Sequence, residues 1–390
     1  ILFIGVAALF MGILNSQGHF ATPALSPSIL NIAMIGCALF LTPYVDPPIL
    51  ALAIGVLIGG VGQLLIQIPV VWRRGMGAHR GFDLSDPAVG RITRLMTPGV
   101  AGLAITQVNV FIGTLLASLM GEGGISILYY AFRLIQLPIG VFGVAIATAA
   151  FPAMARQAAN RSLGEVGATV AYAIRLVLFV TLPAMIGLMV FRIPIVQLLF
   201  ERGAFDRTVT LATAEVVLFY AFGLGAYVSN RILVPAFYSL QDTATPVKIG
   251  MVAVTVNIAS SLLLMRPMGL AGLALATSLS SFVNLGLLLI VLRRRLGQLP
   301  GLSFRSLAPL GGAAIAMALI ALSLVYLRNP LTVEPSLRRA GVLTLELVTS
   351  FAAFLAATAC MGSEEFRGVW RGLTGLIRRA RGAPSGEDCH

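Results

Sequence analysis

The sequence predicts an all-α protein that crosses a membrane many times, and two observations carry this prediction. Of the 390 residues, 58% are hydrophobic and 11% are charged, whereas soluble domains carry about 25% charged residues; the mean hydropathy is +0.93. The apolar segments are also long and numerous, as transmembrane helices require, and they lack the ~10-residue alternation of membrane barrel strands.

Eleven apolar segments of roughly 20 residues, bounded by charges, proline or glycine, are candidate spans. They cover residues 1–14, 24–42, 49–72, 95–118, 125–154, 168–191, 209–236, 247–265, 270–292, 304–327 and 340–362. Of the 27 basic residues, 17 fall on one set of loops with the C-terminal tail and 7 on the other, which predicts a cytoplasmic C-terminus. The remaining three are Arg133, Arg175 and Arg231; the last two lie near helix ends, from which they can reach water.

Two stretches separated by about 220 residues resemble each other. HFATPALSPSILNIAMI at 19–35 matches DTATPVKIGMVAVTVNI at 242–258, and the span after each ends in a basic cluster, at 70–75 and 291–297. The same orientation of both copies indicates a parallel repeat about an axis along the membrane normal. We therefore expect two six-helix lobes followed by two further helices.

This architecture divides the chain into five parts. Residues 1–74 would belong to the N-terminal lobe, 75–94 to a cytoplasmic linker, 95–295 to the second six-helix lobe, 304–362 to the two additional helices and 363–390 to a basic cytoplasmic tail. Because the chain begins inside an apolar run, we expect it to be a fragment, preceded by three more helices of the first lobe.

One charge, Arg133, interrupts the apolar run between Glu122 and Arg156. A charge inside a span is costly and normally faces a water-filled cavity or a partner. The planar guanidinium suits phosphate oxygens and stays charged at any relevant pH. Arg133 therefore predicts an anion-binding position; an arginine that pairs with Glu122 or a backbone carbonyl and holds helices together is the alternative.

A stripe of polar side chains accompanies this arginine, at spacings of three, four and seven residues that favour one helical face. Its members are Ser126, Tyr129, Arg133 and Gln136, with Tyr130 alongside. Asn109, on the preceding span, is a further candidate, although a lone amide in a span more often makes an interhelical hydrogen bond. We predict that these residues bind the substrate.

Pro138, Gly140 and Gly143 follow Arg133 within ten residues. Proline removes a backbone hydrogen bond and glycine loosens the helix, so a bend is predicted here. Pro138 and Gly140 are candidate hinge residues for gating; a passive packing kink is the alternative.

The sequence offers no pattern for catalysis or metal binding. The three cysteines and three histidines are scattered and show no metal-ligand spacing. A Walker A loop, an HExxH motif and a Ser/His/Asp set are absent, which argues against an ATP-driven pump or a hydrolase. The net charge of +12 is explained by membrane topology rather than by nucleic-acid binding.

The loop LLFERGAFDRT at 198–208 does not look catalytic. We expect it to pair Glu201 with Arg202 and to end in Asp206, a predicted N-cap.

Four segments together resemble the MurJ/MviN family of the MOP exporter superfamily. They are LNSQGHFATPALSPSILNIAMIG, LYYAFRLIQLPIGVFGVAIATAAFPAMAR, LLFERGAF and PAFYSLQDTATPVKI, and they occur in order over essentially the whole chain. The resemblance implies a fold of fourteen helices, two six-helix lobes plus two, in which this chain would start in the fourth helix.

The resemblance also implies a function. The family flips lipid II, an undecaprenyl pyrophosphate that bears the disaccharide-pentapeptide unit of peptidoglycan, from the inner to the outer leaflet of the bacterial cytoplasmic membrane. Arg133 matches the family's essential cavity arginine and Ser126 its functionally important serine, and the two extra helices would form a groove for the polyprenyl tail. The implied partners are lipid II, the bilayer and cell-wall synthesis proteins. No cofactor is implied, and transport would couple to the membrane potential or to a monovalent ion.

Two positions depart from the family's pattern. Phe132 stands where the family usually has aspartate, and Gln136 where many members have glutamate, so Arg133 is less neutralised, which suits an anion site. Some members bind sodium through an acidic residue in the first helix of the second lobe. The span 95–118 has none, so we do not expect a sodium site like theirs.

Two other functions stay open from the sequence. The first is export of another polyprenyl-linked saccharide or of an amphipathic drug, as relatives in the superfamily do. The second is a non-transporting structural role in a cell-wall complex, with Arg133 in a packing salt bridge. Because half of the first lobe would be missing, we expect the 390-residue chain alone to be inactive.

Overall fold

The computed structural model describes residues 2–75, 107–297, 299–327 and 336–370, together with positions 90 and 104. Within these residues every regular element is helical, which confirms the predicted all-α fold class. Most of the predicted linker at 75–94, and the predicted tail after residue 370, lie outside the described residues.

The helices are numbered here in chain order. They are α1 Leu2–Ser16, α2 Ala21–Phe40, α3 Ile49–Arg73, α4 Gln107–Ser118, α5 Gly124–Pro138, α6 Val144–Ala159, α7 Leu163–Val190, α8 Arg192–Phe200, α9 Arg207–Phe222, α10 Leu224–Ser239, α11 Ala244–Leu296, α12 Phe304–Leu327 and α13 Ser336–Cys360. A π-helical turn, Ile139–Gly143, joins α5 to α6, and residues 364–370 form a short helix after α13.

Each of the eleven predicted spans overlaps one of these helices. Among the described residues, seven helices are long and apolar enough to cross a membrane, or eight if α9 and α10, which meet at a bend of 44°, form one span. The predicted spans 247–265 and 270–292 run together in α11, which turns at Gly269 with a φ of 57°. The exact number of crossings therefore stays a prediction.

Residues Ile1–Thr93 form one compact unit, in which α1, α2 and α3 pack together. Gly59 of α3 lies so close to α2 that a Cβ atom there would be 2.8 Å from the Cα atom of Leu30. At the same interface the buried Gln67 amide donates to Ser26 Oγ over 3.0 Å. Close backbone approach and an interhelical hydrogen bond thus hold α2 against α3.

Residues Arg94–His390 form the second compact unit, whose apolar core lies among α5, α6, α7, α9, α10 and α11. Its fully buried large side chains include Ile135, Met154, Leu224, Ile232, Phe237, Leu288 and Leu292. The helices α12 and α13 pack against α7 through a separate apolar cluster, in which the rings of Phe179 and Phe354 lie 5.6 Å apart.

The turn between α1 and α2 is repeated between α10 and α11, 223 residues later. A residue with positive φ stands at the same place in both turns, Gly18 with 72° and Gln241 with 59°. In each, the amide of the next residue donates to the carbonyl five residues before it, over 2.9 Å and 3.0 Å. The repeat seen in the sequence therefore extends to the backbone geometry that ends one helix and starts the next.

Each repeated turn is also tied to the end of the following helix hairpin. In the second unit, Asp242 accepts from the Thr245 amide over 2.9 Å and forms an ion pair with Arg295 at 2.7 Å. In the first unit, His19 and Arg74 take the corresponding places, with 3.3 Å between His19 Nδ1 and Arg74 Nη2. The two copies thus use different chemistry to close the same loop.

Arg175 does not extend to water, and the prediction made for it is wrong. It is buried in α7 and forms ion pairs with Glu364 and Glu365, which follow α13. The pKa of Glu364 is lowered by the hydrogen bond from Arg175 and by its positive charge. Ser363 Oγ donates to Glu365 over 2.6 Å. These contacts fix the helix at 364–370 to α7.

Candidate functional site

Helix α5 is amphipathic and places the predicted polar stripe on one exposed face. Its apolar face carries Ile127, Ala131 and Ile135, which are buried in the core of the second unit. The exposed face carries Ser126, Tyr129, Tyr130, Arg133 and Gln136. The predicted alignment of these side chains is therefore confirmed; that they bind substrate stays a prediction.

The Arg133 guanidinium is held by two side chains of its own helix. Tyr129 Oη accepts from Nε over 3.2 Å and from Nη2 over 2.6 Å, and Gln136 Oε1 accepts from Nη1 over 2.9 Å. The guanidinium carbon also lies 4.9 Å from the centre of the Tyr129 ring, within the range of a cation–π contact. Gln136 and Tyr129 therefore orient the cation from either side along the helix.

The charge of Arg133 has no ionised partner in the described part of the chain. The ion pairs found there join other residues, and Glu122 is not within ion-pair distance of Arg133. The alternative in which Arg133 and Glu122 fasten helices together is thus not observed. An exposed, oriented and uncompensated guanidinium is suited to binding a phosphate group.

Phe132 points away from this face. It is half-buried, and its ring packs edge-on against Tyr220 of α9, with 5.3 Å between ring centres. At the position where the family usually has aspartate, Phe132 therefore makes an apolar contact between α5 and α9.

Four of the predicted substrate residues border two different cavities of the second unit, and Arg133 and Gln136 line neither of the two. Ser126 and Tyr130 line a cavity of about 540 Å³, here called the aromatic cavity, whose walls also include Glu122, Phe200, Arg202 and Phe205. Tyr129 and Asn109 line a cavity of about 290 Å³, here called the amide cavity, together with Phe132, Tyr220, Asn257, Ser261 and Thr277. The sequence does not predict this division, because it depends on which helices α5 contacts.

The amide cavity is lined by neutral oxygen and nitrogen atoms. Asn257 donates to Thr277 Oγ1 over 3.3 Å, as expected of an interhelical amide, while the buried Asn109 Oδ1 has no hydrogen-bond donor among the described residues. The residues lining this cavity include no carboxylate. This set of donors does not fit a sodium site built around an acidic side chain, and we assign no transport step to such a site.

The predicted bend follows α5 as a widened helical turn. Pro138 ends α5, and the π-helical turn Ile139–Gly143 begins at once, consistent with the backbone donor that proline lacks. Gly143 lies against α10, where a Cβ atom would be 2.8 Å from Val228 Cγ1, whereas Gly140 is exposed. The irregularity is confirmed; its action as a hinge stays a prediction.

The loop between α8 and α9 departs from the predicted pairing. Glu201 forms an ion pair with Arg207 at 3.6 Å and accepts from Gln197 over 3.0 Å, so its predicted pairing with Arg202 is wrong. Asp206 Oδ1 accepts from the Val209 amide over 2.9 Å, which confirms the predicted N-cap of α9.

Sequence reasoning missed the aromatic cluster that this loop builds. Ring centres of Tyr130 and Phe200 lie 5.0 Å apart, those of Tyr130 and Phe205 5.4 Å, and those of Phe200 and Phe205 5.8 Å. The two phenylalanines on either side of the charged residues in LLFERGAF were a signal that could have indicated it.

Comparison with known proteins assigns the chain to a family. The family model described as "Lipid II flippase MurJ" matches residues 1–334. The chain belongs to the MurJ family. The resemblance stated from the sequence segments is thereby confirmed.

Two relatives and one solved structure illustrate the extent of the similarity to MurJ proteins. The chain is 39% identical over 286 residues to a probable lipid II flippase MurJ of Vibrio cholerae, covering 73% of this chain and 54% of that protein. It is 33% identical over 396 residues to one of Rhizobium tropici, covering 98% and 72%. A structure of "Lipid II flippase MurJ, inward closed conformation" matches with a TM-score of 0.74 at 23% identity, over 94% of this chain and 72% of that one. The chain thus has the MurJ fold and spans about half the length of the Vibrio relative.

Proposed function

We propose that this protein moves lipid II from the inner to the outer leaflet of the bacterial cytoplasmic membrane. Membership of the MurJ family and the names of the relatives support this proposal. The observation within the structure that supports it best is the oriented, uncompensated guanidinium of Arg133. In this proposal the protein is a multi-pass membrane protein with a cytoplasmic C-terminus, and it performs no covalent chemistry.

Arg133 would bind the pyrophosphate of the cargo. Tyr129 and Gln136 accept three hydrogen bonds from its guanidinium, which hold it in an orientation that an arriving anion can use. The pyrophosphate oxygens would then accept from the same N–H groups, in place of or together with Tyr129 Oη and Gln136 Oε1. An ionised acceptor adds the attraction between opposite charges, which the neutral oxygens of tyrosine and glutamine lack. Ser126, two turns away on the same face, would contact the part of the cargo next to the pyrophosphate.

Transport would follow from alternating access, with the bound anion favouring one state through contacts that it makes only there. The inside-negative membrane potential assists outward movement of an anionic group by about 2.3 kcal/mol per charge for each 100 mV. We therefore include coupling to the potential, or to a monovalent ion, in the proposal. The π-helical turn after Pro138 is our candidate hinge.

Arg133→Ala and Arg133→Lys test the proposal when they are introduced into the native gene and assayed in a strain depleted of its own flippase. Alanine is expected to abolish growth, and lysine to abolish it or reduce it strongly, because an ammonium cannot make the same planar contacts. Arg156→Ala, which removes an exposed arginine at the end of α6, should support growth at equal protein levels.

Growth with both Arg133 variants would contradict the anion site. An assay of lipid II accessibility at the outer leaflet then separates this cargo from the alternatives: a protein that exports another polyprenyl-linked saccharide or a drug, or that only supports a cell-wall complex, would leave lipid II accessibility unchanged when it is depleted.

A further inference from the structure

The aromatic cavity lies on the same helical face as Arg133 but nearer the start of α5. Ser126 and Tyr130 belong both to the exposed stripe and to the walls of the cavity. Ser126 precedes Arg133 by seven residues, which corresponds to about 10 Å along a helix. If the phosphates of a ligand bind at Arg133, the chemical group that is bonded to these phosphates would therefore reach this cavity.

The walls of the cavity combine apolar ring faces with two opposite charges that do not form an ion pair with each other. Tyr130, Phe200 and Phe205 form a mutually packed cluster. Glu122 and Arg202 line the same cavity, yet within the described residues they do not form an ion pair. Arg202 donates to the Leu199 carbonyl over 2.5 Å, which leaves its remaining donors for a ligand.

These features match a group that is part saccharide and part peptide. The C–H faces of a sugar ring are apolar and pack on aromatic rings, while its hydroxyl groups need polar partners such as Ser126. A peptide supplies a carboxylate for Arg202 and N–H donors for Glu122. The volume of about 540 Å³ falls within the range of small-molecule sites. The amide cavity, at about 290 Å³, is smaller and lacks both charges.

We infer that the aromatic cavity is a subsite for the saccharide-peptide head group of the cargo, with Phe205 and Arg202 as residues that determine specificity. This inference rests on the proposed function, because it takes the cargo to be a polyprenyl pyrophosphate bound at Arg133. It adds that the head group is recognised separately from the pyrophosphate.

Equilibrium binding of two lipids to the full product of the native gene, in nanodiscs, tests this subsite. The lipids are lipid II and undecaprenyl pyrophosphate, which share the polyprenyl and pyrophosphate groups and differ in the head group. Wild type should prefer lipid II. Phe205→Leu, which keeps apolar volume, and Arg202→Gln, which keeps hydrogen-bond donors, should each lower this preference about fivefold and leave the affinity for undecaprenyl pyrophosphate unchanged.

The second lipid serves as the control for folding and for the Arg133 site. Arg133→Ala should weaken the binding of both lipids. If the cavity variants keep the full preference for lipid II, or if they weaken both lipids equally, the subsite is overturned while the proposed function stands. If wild type binds both lipids equally, the subsite is likewise overturned. If wild type binds neither, the proposed function fails, and the subsite with it.

Discussion

Among the single residues, Asp242 uses its two oxygen atoms for two different contacts. One accepts from the Thr245 amide in the first turn of α11, and the other pairs with Arg295. Burial acts to raise the pKa of Asp242, but the hydrogen bonds from Thr245 and the charge of Arg295 outweigh it, so that the pKa lies below its ordinary value of 3.8. The ionised carboxylate therefore stabilises the fold above this value, and the contribution is lost as the pH falls through the lowered pKa.

Asp242→Asn should separate the ion pair from the hydrogen bond to Thr245, because the side-chain oxygen of asparagine can accept from the same amide. We expect a loss of about 1 kcal/mol or less at neutral pH, since Arg295 is partly exposed and such pairs are weak. The variant should also lose less stability than wild type on acidification below about pH 4. Thermal unfolding of the detergent-solubilised protein over this pH range measures both effects.

Asp206→Asn is the matched control. Asp206 caps α9 through the Val209 amide and has no ion pair among the described residues. The substitution should therefore leave the free energy of unfolding at pH 7 almost unchanged. Equal losses in the two variants would show that the Asp242–Arg295 ion pair adds no stability to that of the hydrogen bond from the Thr245 amide.

Residue positions differ in how far the sequence could predict them. Ser126 and Arg133 share a face because seven residues make two helical turns, and this relation needs only the helix. Arg175 pairs with Glu365, which lies 190 residues further along, so no local pattern connects them. Phe132 faces Tyr220 for the same kind of reason, since its surroundings depend on how α9 packs.

Within the helical elements, Gly59 shows how α2 and α3 depend on backbone contact. The nearest atoms to an added Cβ would be in Leu30, including its Cα, which cannot move aside without shifting α2. Gly36, on α2, has no atom within 4 Å of such a Cβ. The two glycines thus occupy opposite environments within one helix pair.

Gly59→Ala is expected to destabilise the protein by about 1–3 kcal/mol through this overlap. Gly36→Ala should be neutral or slightly stabilising, because alanine favours the helix over glycine. Thermostability measured by fluorescence-detected size exclusion compares the two. Equal melting temperatures in both variants would contradict the close approach of α2 and α3.

Long apolar helices were predictable, and short or interrupted ones were less so. A window of about 20 apolar residues finds α7 and α12 but cannot find α8, which has nine residues. Gly269 has a non-helical φ of 57° inside α11, between the two spans predicted at 247–265 and 270–292. Pro138 and Gly140 indicated an irregularity, but not its π-helical form or the close approach of Gly143 to α10.

On the scale of the whole molecule, Arg175 connects distant parts of the chain. It joins α7 to the residues that follow α13, and Glu365 is only 2% exposed. Removing one partner of a buried pair costs about 3–5 kcal/mol when it leaves an uncompensated charge. Arg175 keeps Glu364 when Glu365 is lost, so we expect a smaller cost. The ion pair therefore acts as a fastening for the C-terminal helix at 364–370.

Glu365→Gln should weaken the attachment of the helix at 364–370 to α7 and make this helix more accessible to a protease. Limited proteolysis after α13 is expected to speed up, together with a lower melting temperature. Glu165→Gln, which removes an exposed carboxylate at the start of α7, serves as the control and should leave both measurements unchanged. Unchanged proteolysis in the Glu365 variant would argue that the contact is dispensable.

The overall organisation was predictable where it rests on repetition. The similarity of the stretches at 19–35 and 242–258, which both contain Ala-Thr-Pro, and the basic clusters indicated two related parts. The described structure shows the same turn in both. The split into two compact units, Ile1–Thr93 and Arg94–His390, follows from contacts that the sequence does not list. The six-plus-six-plus-two arrangement of the entire protein stays a prediction.

The repeated turn occurs twice in this chain with different residues, so its two copies can be compared directly. One copy has glycine followed by histidine, and the other has glutamine followed by aspartate, yet both adopt the same left-handed backbone and the same closing hydrogen bond. What the turn demands is therefore a shape and a polar group beside the next helix, not a particular pair of side chains. The two turns share one backbone path, although an aspartate–arginine ion pair closes one of them and a histidine–arginine contact closes the other.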